Sequence, residues 1–171
     1  MDELQKFIRD VADFPKKGIN FKDISPLLAD ADAFSRAVNA MANPYREQGI
    51  AKVIGIESRG FIFGIAISTL LHCGFVPVRK PGKLPYKTLK KEYELEYGTD
   101  TVEMHIDAIR SGERVLVVDD VLATGGTMQA ACELLREAKA DIAGVCFLME
   151  LSFLNGRDRL PTVPITTILT Y

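Results

Sequence analysis

Residues Arg114–Thr127 read Arg-Val-Leu-Val-Val-Asp-Asp-Val-Leu-Ala-Thr-Gly-Gly-Thr, and this stretch decides the fold. Its four consecutive apolar residues predict a buried strand, and a helix is predicted to follow the turn. Gly125 and Gly126 let the backbone curl with its amides pointing inward, which makes an anion-binding nest. The first turn of the helix adds free N–H groups and the positive end of the helix dipole. With the hydroxyls of Thr124 and Thr127 as further donors, the turn suits a monophosphate.

Asp119 and Asp120 follow the apolar run, at the carboxyl end of the predicted strand. Two carboxylates beside a phosphate nest repel a phosphate unless neutral or positive groups lie between them. Sugar hydroxyls and a magnesium ion would each fill that space. A simpler interpretation is that the two acids only cap the helix electrostatically, but it leaves the glycine pair without a purpose. The sequence lacks both the Gly-Lys-Ser/Thr ending of a P-loop and the Gly-x-Gly-x-x-Gly pattern of a dinucleotide-binding loop.

Runs rich in valine and isoleucine alternate with helical stretches on both sides of this motif. Strand–helix–strand order is predicted for residues 52–57, 60–71 and 75–79, then for 114–119, 127–138 and 142–148, with a last strand at 163–169. Towards the N-terminus, helices are predicted over Glu3–Val11 and at about Ala31–Gln48. The order predicts an α/β fold with a mostly parallel sheet, in which ligands bind beyond the carboxyl ends of the strands.

Length and composition are those of one ordinary globular domain. The chain has 171 residues, of which 47% are hydrophobic and 26% charged, and this is enough for a single core. A formal net charge of −2 predicts no broad nucleic-acid-binding surface. The acidic N-terminus is unlike a secretory signal, and no apolar run approaches the roughly 20 residues needed to cross a membrane. Cys73, Cys132 and Cys146 have no paired spacing, so we expect reduced core residues in a cytoplasmic protein.

Two segments do not fit the predicted sheet. Residues 13–28 contain two prolines, a glycine and several apolar side chains, which predicts an ordered loop without regular secondary structure. Residues 80–108 are rich in lysine, glutamate and tyrosine, and within them Tyr93–Tyr97 and Thr101–His105 alternate enough to predict a hairpin. Long excursions of this kind are usually lids or binding loops.

In this order, the motifs resemble those of type I phosphoribosyltransferases, which bind 5-phosphoribosyl 1-pyrophosphate (PRPP). Over nearly the whole chain they resemble adenine phosphoribosyltransferases. Four further stretches carry the resemblance: Phe14–Pro26, Glu57–Phe61, Arg79–Pro85 and Tyr93–Gly98. It implies the type I phosphoribosyltransferase fold as one domain, 1–171, with a hood over the purine (about 13–28) and a flexible lid (about 80–108).

The resemblance also implies a reaction and a set of site residues. The 5-phosphoribosyl group of PRPP would pass to N9 of adenine, giving AMP and pyrophosphate. Residues implied to bind the ribose 5-phosphate are Asp119, Asp120, Ala123, Thr124, Gly125, Gly126 and Thr127, the two acids on the ribose hydroxyls. Residues implied to bind pyrophosphate are Ser58, Arg59, Arg79, Lys80 and Lys83, with a cis peptide between Glu57 and Ser58. Mg²⁺ would be held mainly by the pyrophosphate and the ribose hydroxyls with Asp119 and Asp120 nearby, and the family implies a homodimer.

Adenine needs a hydrogen-bond acceptor at its 6-amino group and a route for a proton. Backbone carbonyls around Asn20 and Lys22 would accept, while Phe21 and Leu151 stack on the two faces of the base. Glu96 matches the family's general acid or base, and the adjacent Tyr97 would point towards the ribose or pyrophosphate.

Alternatives stay open at this point. Arg59 has the simpler interpretation of a surface arginine, Phe21 that of a core residue, and Glu92, Glu94 and Glu96 that of a solvent-exposed strand face. The same motifs also fit a phosphoribosyltransferase for another purine or orotate, and a non-catalytic regulator that senses PRPP. A regulator needs a DNA-binding element, whereas only one short helix of mixed charge is predicted before residue 13.

Overall fold

The computed structural model describes residues 2–94, 98–160 and 162–171, without the side chains of Asp2 and Glu94. Within them the elements in chain order are α1 (Asp2–Gln5), β1 (Arg9–Ala12), β2 (Asn20–Asp23), α2 (Ser25–Ala29), α3 (Ala31–Ala42), β3 (Lys52–Ile56), α4 (Gly60–Leu71), β4 (Gly74–Val78), β5 (Thr88–Glu94), β6 (Thr99–His105), β7 (Arg114–Leu122), α5 (Gly126–Glu137), β8 (Asp141–Glu150) and β9 (Ile165–Thr170). Short 3₁₀ turns lie at Asn43–Tyr45, Ser152–Leu154 and Gly156–Arg159.

The central sheet has five parallel strands in the order β4-β3-β7-β8-β9, which confirms the predicted α/β class. Its central strand, β7, is longer than predicted. It runs through Asp119 and Asp120 to Leu122, so the two acids are part of the strand and do not follow it. Pairing with β8 continues to Leu122, opposite Glu150, and this neighbour keeps the chain extended past the apolar run.

Two apolar cores cover the faces of the sheet. Along β7 the side chains alternate, so Leu116 and Val118 pack with α3 and α4 on one face. Val115 and Val117 pack with α5 on the other. Because β3 and β7 pair in parallel, the loops that follow them lie at the same edge of the sheet, the edge at which strand carboxyl ends meet.

Helix boundaries follow local signals. The Asp30 side chain accepts a hydrogen bond from the Ala33 N–H at 2.8 Å and caps the start of α3. This helix ends at Ala42, earlier than the predicted Gln48, because Pro44 is accommodated in a 3₁₀ turn. The prediction for α4, residues 60–71, is confirmed at both ends.

The prediction of a helix over Glu3–Val11 is wrong beyond Gln5. Residues Arg9–Ala12 form β1, which pairs antiparallel with β2 at Asn20–Asp23. The expectation that residues 13–28 lack regular structure is therefore also wrong, because they contain β2 and α2. A partner strand about ten residues away overrides the helical spacing of the apolar residues, and that partner is not visible in a local pattern.

The lid hairpin is confirmed, with its strands displaced from the predicted positions. Strand β5 covers Thr88–Glu94 and pairs antiparallel with β6, so Thr99 and Asp100 belong to a strand and not to the turn. The hairpin packs against α5 through Leu89, Tyr93, Val102 and Met104.

The thiols are free, and Cys132 and Cys146 are buried as predicted, whereas Cys73 is partly exposed. None of the helices in the described ranges has both the length and the apolar character that crossing a membrane requires.

Candidate active site

The turn between β7 and α5, residues 123–127, is called here the phosphate turn. It lines a cavity of about 160 Å³ together with Asp119, Val121 and Phe147, so the five residues predicted to hold a phosphate lie together. Gly125 has a φ of +82°, a left-handed conformation that favours glycine. No side chain caps the start of α5, so the amides of its first turn are free to bind an anion.

Backbone contacts fix the shape of the phosphate turn. A Cβ added to Gly125 would lie well under 3.0 Å from the carbonyl oxygen of Gly156. A Cβ added to Gly156 would lie equally close to the carbonyl oxygen of Ala123. The sequence alone does not indicate that Gly156 belongs to the site, because a single glycine in a loop can serve many purposes. The structure therefore adds it to the site.

Asp119 and Asp120 lie beside the start of α4. A Cβ added to Gly60 would meet the Asp119 Oδ1 atom at 2.9 Å, so only a glycine lets this carboxylate approach the helix. The Asp120 carboxylate is buried and forms an ion pair with the Arg59 guanidinium at 2.8 Å. Burial, together with the charge of Asp120, raises the pKa of Asp119 well above its usual value. Burial raises the pKa of Asp120 as well, although Arg59 acts in the opposite direction.

A second cavity, of about 180 Å³, lies next to the phosphate turn and is called here the purine pocket. It brings together all four residues predicted to bind adenine: Asn20, Phe21, Lys22 and Leu151. Val121 and Ala123 line both cavities, so the two abut. Met149 also lines the purine pocket and was not predicted, because it reads as an ordinary residue of a buried strand.

The side chains of Asn20 and Lys22 are engaged away from the cavity. Both bond to Asp10 Oδ1, at 3.0 and 2.5 Å, and the Lys22 ammonium also lies 4.0 Å from the centroid of the Tyr171 ring. These contacts hold β2 against the rest of the fold. They leave the backbone of β2 as the part of Asn20 and Lys22 available for base recognition.

Arg59 lies next to the purine pocket as well as to Asp120. Its guanidinium lies 5.0 Å from the centroid of the Phe21 ring and lines the purine pocket, between Phe21 and Asp120. A contact between Arg59 and pyrophosphate stays a prediction. The Glu57–Ser58 peptide is cis, as the family resemblance implies, and Ser58 is exposed.

Glu57 connects the loop after β3 to the beginning of the lid. Its carboxylate accepts two hydrogen bonds from the Arg79 guanidinium, at 2.9 and 3.2 Å, and one from the Lys80 amide at 2.9 Å. The Arg79 hydrogen bonds keep the pKa of Glu57 below its usual value despite its partial burial. Glu57 is not among the predicted site residues, because its partners Arg79 and Lys80 lie more than twenty residues away in the chain.

The other lid cations differ in their partners. The Lys80 ammonium pairs with Asp100 and donates to the Tyr93 hydroxyl at 3.0 Å. Lys83 is exposed, and its backbone oxygen accepts from Arg79 at 3.1 Å. Two further lysines of the lid form ion pairs: Lys90 with Glu103, and Lys91 with both Glu133 and Glu137.

A side-chain hydrogen bond joins the lid to the phosphate turn. The Thr127 hydroxyl donates to the Tyr93 hydroxyl at 3.1 Å. Glu96 and Tyr97, predicted to handle the proton and the ribose, lie outside the described residues. Strand β5 ends at Glu94, before these two residues, and β6 begins at Thr99, after them.

Comparison with known proteins shows the family of the chain. Residues 27–162 match the family described as phosphoribosyl transferase domain. A protein of Geobacter metallireducens called adenine phosphoribosyltransferase is 56% identical over 171 residues, which is 100% of both chains. The structure of adenine phosphoribosyltransferase from Rhodothermus marinus has a TM-score of 0.96 at 54% identity, covering 99% of this chain and 97% of that one.

A structure from Saccharomyces cerevisiae contains ligands. This adenine phosphoribosyltransferase is complexed with D-2,5-dideoxy-2,5-imino-altritol 1,6-bisphosphate and adenine. It has a TM-score of 0.92 at 40% identity and covers 98% of this chain and 97% of its own. On the fold, the order of motifs and full-length identity, the chain belongs to the adenine phosphoribosyltransferase family.

Proposed function

We propose that this pentosyltransferase holds the 5-phosphate of PRPP in the phosphate turn and adenine in the purine pocket. The observation that carries the proposal is the shared wall of the two cavities, formed by Val121 and Ala123. A ribose with its phosphate in one cavity reaches the other without crossing solvent. Its anomeric carbon then lies near the acceptor base, which is the proximity that a transfer between two substrates requires.

Asp119 and Asp120 contact the ribose hydroxyls in this mechanism. Both carboxylates lie on β7, just before the phosphate turn, and Asp119 lines the phosphate cavity. Their raised pKa values follow from burial, and hydroxyl donors on a ribose compensate buried carboxylates without adding charge. The Arg59 guanidinium keeps Asp120 from repelling the substrate's phosphates.

Adenine lies against Phe21, with Leu151 on its other face. Phe21 is half-buried and in edge contact with Phe14 at 5.2 Å, so its ring is held in place before a base arrives. Stacking on an aromatic ring contributes roughly 1–3 kcal/mol. Backbone carbonyls around Asn20 and Lys22 accept from the 6-amino group, consistent with the engagement of both side chains by Asp10.

The leaving pyrophosphate is bound by Ser58, Arg59, Arg79, Lys80 and Lys83. Negative charge builds on this group as the bond from the anomeric carbon to oxygen breaks, and cations stabilise it. Arg79 and Lys80 already lie side by side at the root of the lid, where Glu57 contacts both. Pyrophosphate competes with Glu57 and Asp100 for these two cations, and the exposed Lys83 adds a third.

Magnesium fits this site only as an ion that arrives with the substrate. Among residues 2–94, 98–160 and 162–171, no three His, Cys, Asp or Glu side chains converge as a metal site. Asp119 and Asp120 would lie near an ion held by the diphosphate and ribose hydroxyls, as Mg²⁺ prefers in nucleotide sites. When bound, Mg²⁺ neutralises charge on the leaving group.

Glu96 exchanges the proton that adenine loses as its N9 bonds to the anomeric carbon, and Tyr97 points towards the ribose or pyrophosphate. Support comes from their place in the sequence, between the end of β5 and the start of β6, and from the hydrogen bond between Tyr93 of β5 and Thr127 of the phosphate turn. A carboxylate held by a lid reaches the base only after the donor is bound. This order protects the reaction from water.

Three further features belong to the proposal. The chain acts as one domain, 1–171, in the cytoplasm, supported by three free thiols. It forms a homodimer, supported by Ile62 and Ile65, which are 39% and 52% exposed on α4 directly after the Arg59 loop. Analytical sedimentation at increasing protein concentration measures the fraction of dimer. An Ile65→Glu variant is expected to have a smaller fraction of dimer than the wild type.

A panel of bases tests the function. Adenine with PRPP and Mg²⁺ is expected to give AMP and pyrophosphate, whereas hypoxanthine, xanthine and orotate turn over at least about 100-fold more slowly. Discrimination of this size is expected because an oxo group in place of the 6-amino group leaves the backbone acceptors unpaired. Faster turnover of hypoxanthine would assign the purine pocket to a 6-oxopurine. PRPP binding without turnover of any base would indicate a sensor.

A further inference from the structure

The segment after β8 touches the phosphate turn from behind. Its residues 152–159 form two 3₁₀ turns, with Asn155 between them at a left-handed φ of +52°. Gly156 starts the second turn and is buried. Its carbonyl oxygen lies against Gly125 and its Cα lies against the carbonyl oxygen of Ala123, so two backbones are in direct contact.

This contact cannot be relaxed by moving a side chain. The nearest atom that a Cβ would meet at each glycine is a backbone carbonyl oxygen, and at Gly156 the Leu122 side chain lies farther away at 3.0 Å. The position of Gly156 therefore determines how far the Ala123 carbonyl and the Gly125 backbone can move. Both groups are part of the turn whose amides receive the phosphate.

Gly156 is followed by Arg157, an exposed residue that forms an ion pair with the buried carboxylate of Glu150. The Arg157 guanidinium donates two hydrogen bonds to the Glu150 carboxylate, both at 2.7 Å, and a third to the Thr167 hydroxyl at 3.2 Å. The Glu150 side chain is only 9% exposed, and the Arg157 hydrogen bonds keep its pKa below the usual value. A paired planar fork of this kind fixes orientation as well as distance.

The backbone that follows Glu150 is also tied to neighbouring parts of the fold. The Leu151 amide donates to the Leu122 carbonyl at 2.9 Å, and the Ser152 amide donates to the Tyr171 carbonyl at 2.8 Å. Leu122 is the last residue of β7, directly before the phosphate turn. The segment is thus attached on both sides of Gly156, by the backbone of Leu151 and Ser152 before it and by the Arg157 side chain after it.

We propose that Gly156, oriented by the Arg157–Glu150 ion pair, is a positioning residue that sets the geometry of the phosphate turn for the 5-phosphate of PRPP. The proposal rests on the assignment of the 5-phosphate to residues 123–127. Gly156 and Arg157 touch no substrate in it. They act through the backbone of Ala123 and Gly125.

Gly156→Ala tests this directly. The added methyl group displaces the Ala123 carbonyl, so KM for PRPP and the Kd of ribose 5-phosphate by calorimetry are both expected to rise about tenfold or more, with kcat within threefold. Gly112→Ala is the matched control, because Gly112 has a φ of +79° and no atom within 4 Å of an added Cβ. It strains the backbone without touching the site, so KM for PRPP stays at the wild-type value.

Arg157→Met and Arg157→Lys keep the test open if Gly156→Ala does not fold. Arg157→Met leaves Glu150 buried without its partner, and an increase of about tenfold in the Kd of ribose 5-phosphate is expected. Arg157→Lys restores the charge without the fork, and a smaller increase is expected. A purely structural role would lower the melting temperature and the active fraction while leaving KM for PRPP unchanged, and this result would overturn the proposal.

Thr127→Val separates the proposal from the site assignment. If Thr127→Val leaves the affinity for ribose 5-phosphate unchanged, the assignment of the 5-phosphate to the phosphate turn is wrong, and the role of Gly156 is wrong with it. If Thr127→Val weakens binding and Gly156→Ala does not, only the positioning role is refuted.

Discussion

The phosphate turn and the lid bind two ends of one substrate in the proposed mechanism, but they are built in opposite ways. The turn is made of backbone, and its shape is fixed by the backbone of Gly156 behind it. The root of the lid is made of long cationic side chains, and Arg79 and Lys80 are paired with the protein's own carboxylates. Before a ligand binds, the phosphate turn presents uncapped amides, whereas the cations of the lid are already paired with carboxylates.

The difference assigns different costs to the two halves of PRPP binding. In the proposed mechanism the 5-phosphate binds first-turn amides of α5 that no side chain caps among the described residues, so the turn keeps its shape. Pyrophosphate must take Arg79 from Glu57 and Lys80 from Asp100, so the lid changes its contacts. A substitution in the turn therefore acts on the binding of any phosphorylated ribose, whereas a substitution in the lid acts on the leaving group.

The largest expected effect comes from Gly125→Ala. An alanine must adopt a φ of +82° and place its methyl group against Gly156, and both demands deform the turn. The Kd of ribose 5-phosphate by calorimetry is expected to rise about 100-fold, which corresponds to about 2.7 kcal/mol.

Gly49→Ala is the control for backbone strain, since Gly49 has a φ of +65° and open space around it. It is expected to bind ribose 5-phosphate like the wild type. Unchanged affinity in Gly125→Ala would break the comparison, because the turn would then be as adaptable as the lid.

Glu96→Gln is expected to lower turnover and to leave ligand binding unchanged. Removing a general acid or base lowers kcat by about 100-fold, while the Kd of ribose 5-phosphate stays unchanged. Single-turnover kinetics separate the chemical step from product release. Glu92→Gln is the matched control on the same strand pattern, and it is exposed. Equal rates in the two variants would return Glu96 to a solvent-exposed strand face.

Asp119→Asn is expected to weaken PRPP binding about tenfold and to stabilise the free protein. Because the pKa of Asp119 is raised in the fold, its stability contribution is intact below the usual pKa of about 3.9 and is lost as pH rises through the raised value. At neutral pH the asparagine avoids the cost of ionising Asp119 in the fold, so the free energy of unfolding increases. Each increase of about 1 kcal/mol raises the melting temperature by about 2–4 °C.

Melting curves of the wild type and of Asp119→Asn between pH 3 and pH 8 test this pH dependence of stability. The curves should converge in acid and separate as pH rises. A variant that melts below the wild type at neutral pH would show that Asp119 is held ionised by donors other than its substrate.

The smallest expected effect is that of Arg79→Lys. A lysine cannot offer pyrophosphate the two parallel hydrogen bonds that Arg79 makes to Glu57 in the free protein, so KM for PRPP is expected to rise about fivefold. The affinity for ribose 5-phosphate should not change. Arg46→Lys provides a control far from the site, because Arg46 bonds only to Asn39 and Asn43 among the described residues. Weaker ribose 5-phosphate binding in Arg79→Lys would contradict the separation of the two halves.

The parts of the molecule that the sequence predicted correctly are those with local causes. Gly125 and Gly126 follow directly from the chemistry of a tight turn before a helix, and α4 was predicted at both ends. Strand β1 was mistaken for helix because its partner, β2, is remote in the chain. Glu57 and Gly156 were missed for the same reason, since Arg79 and Ala123 become their neighbours only after folding.

A crystal structure of the protein with PRPP, Mg²⁺ and an unreactive adenine analogue compares the two regions most directly. We expect the 5-phosphate on the amides of residues 124–127, with the backbone of the phosphate turn displaced by less than about 1 Å. In the same complex, Arg79 should have left Glu57 and Lys80 should have left Asp100 for the pyrophosphate. A rebuilt phosphate turn beside an intact Arg79–Glu57 ion pair would contradict the assignment of both regions.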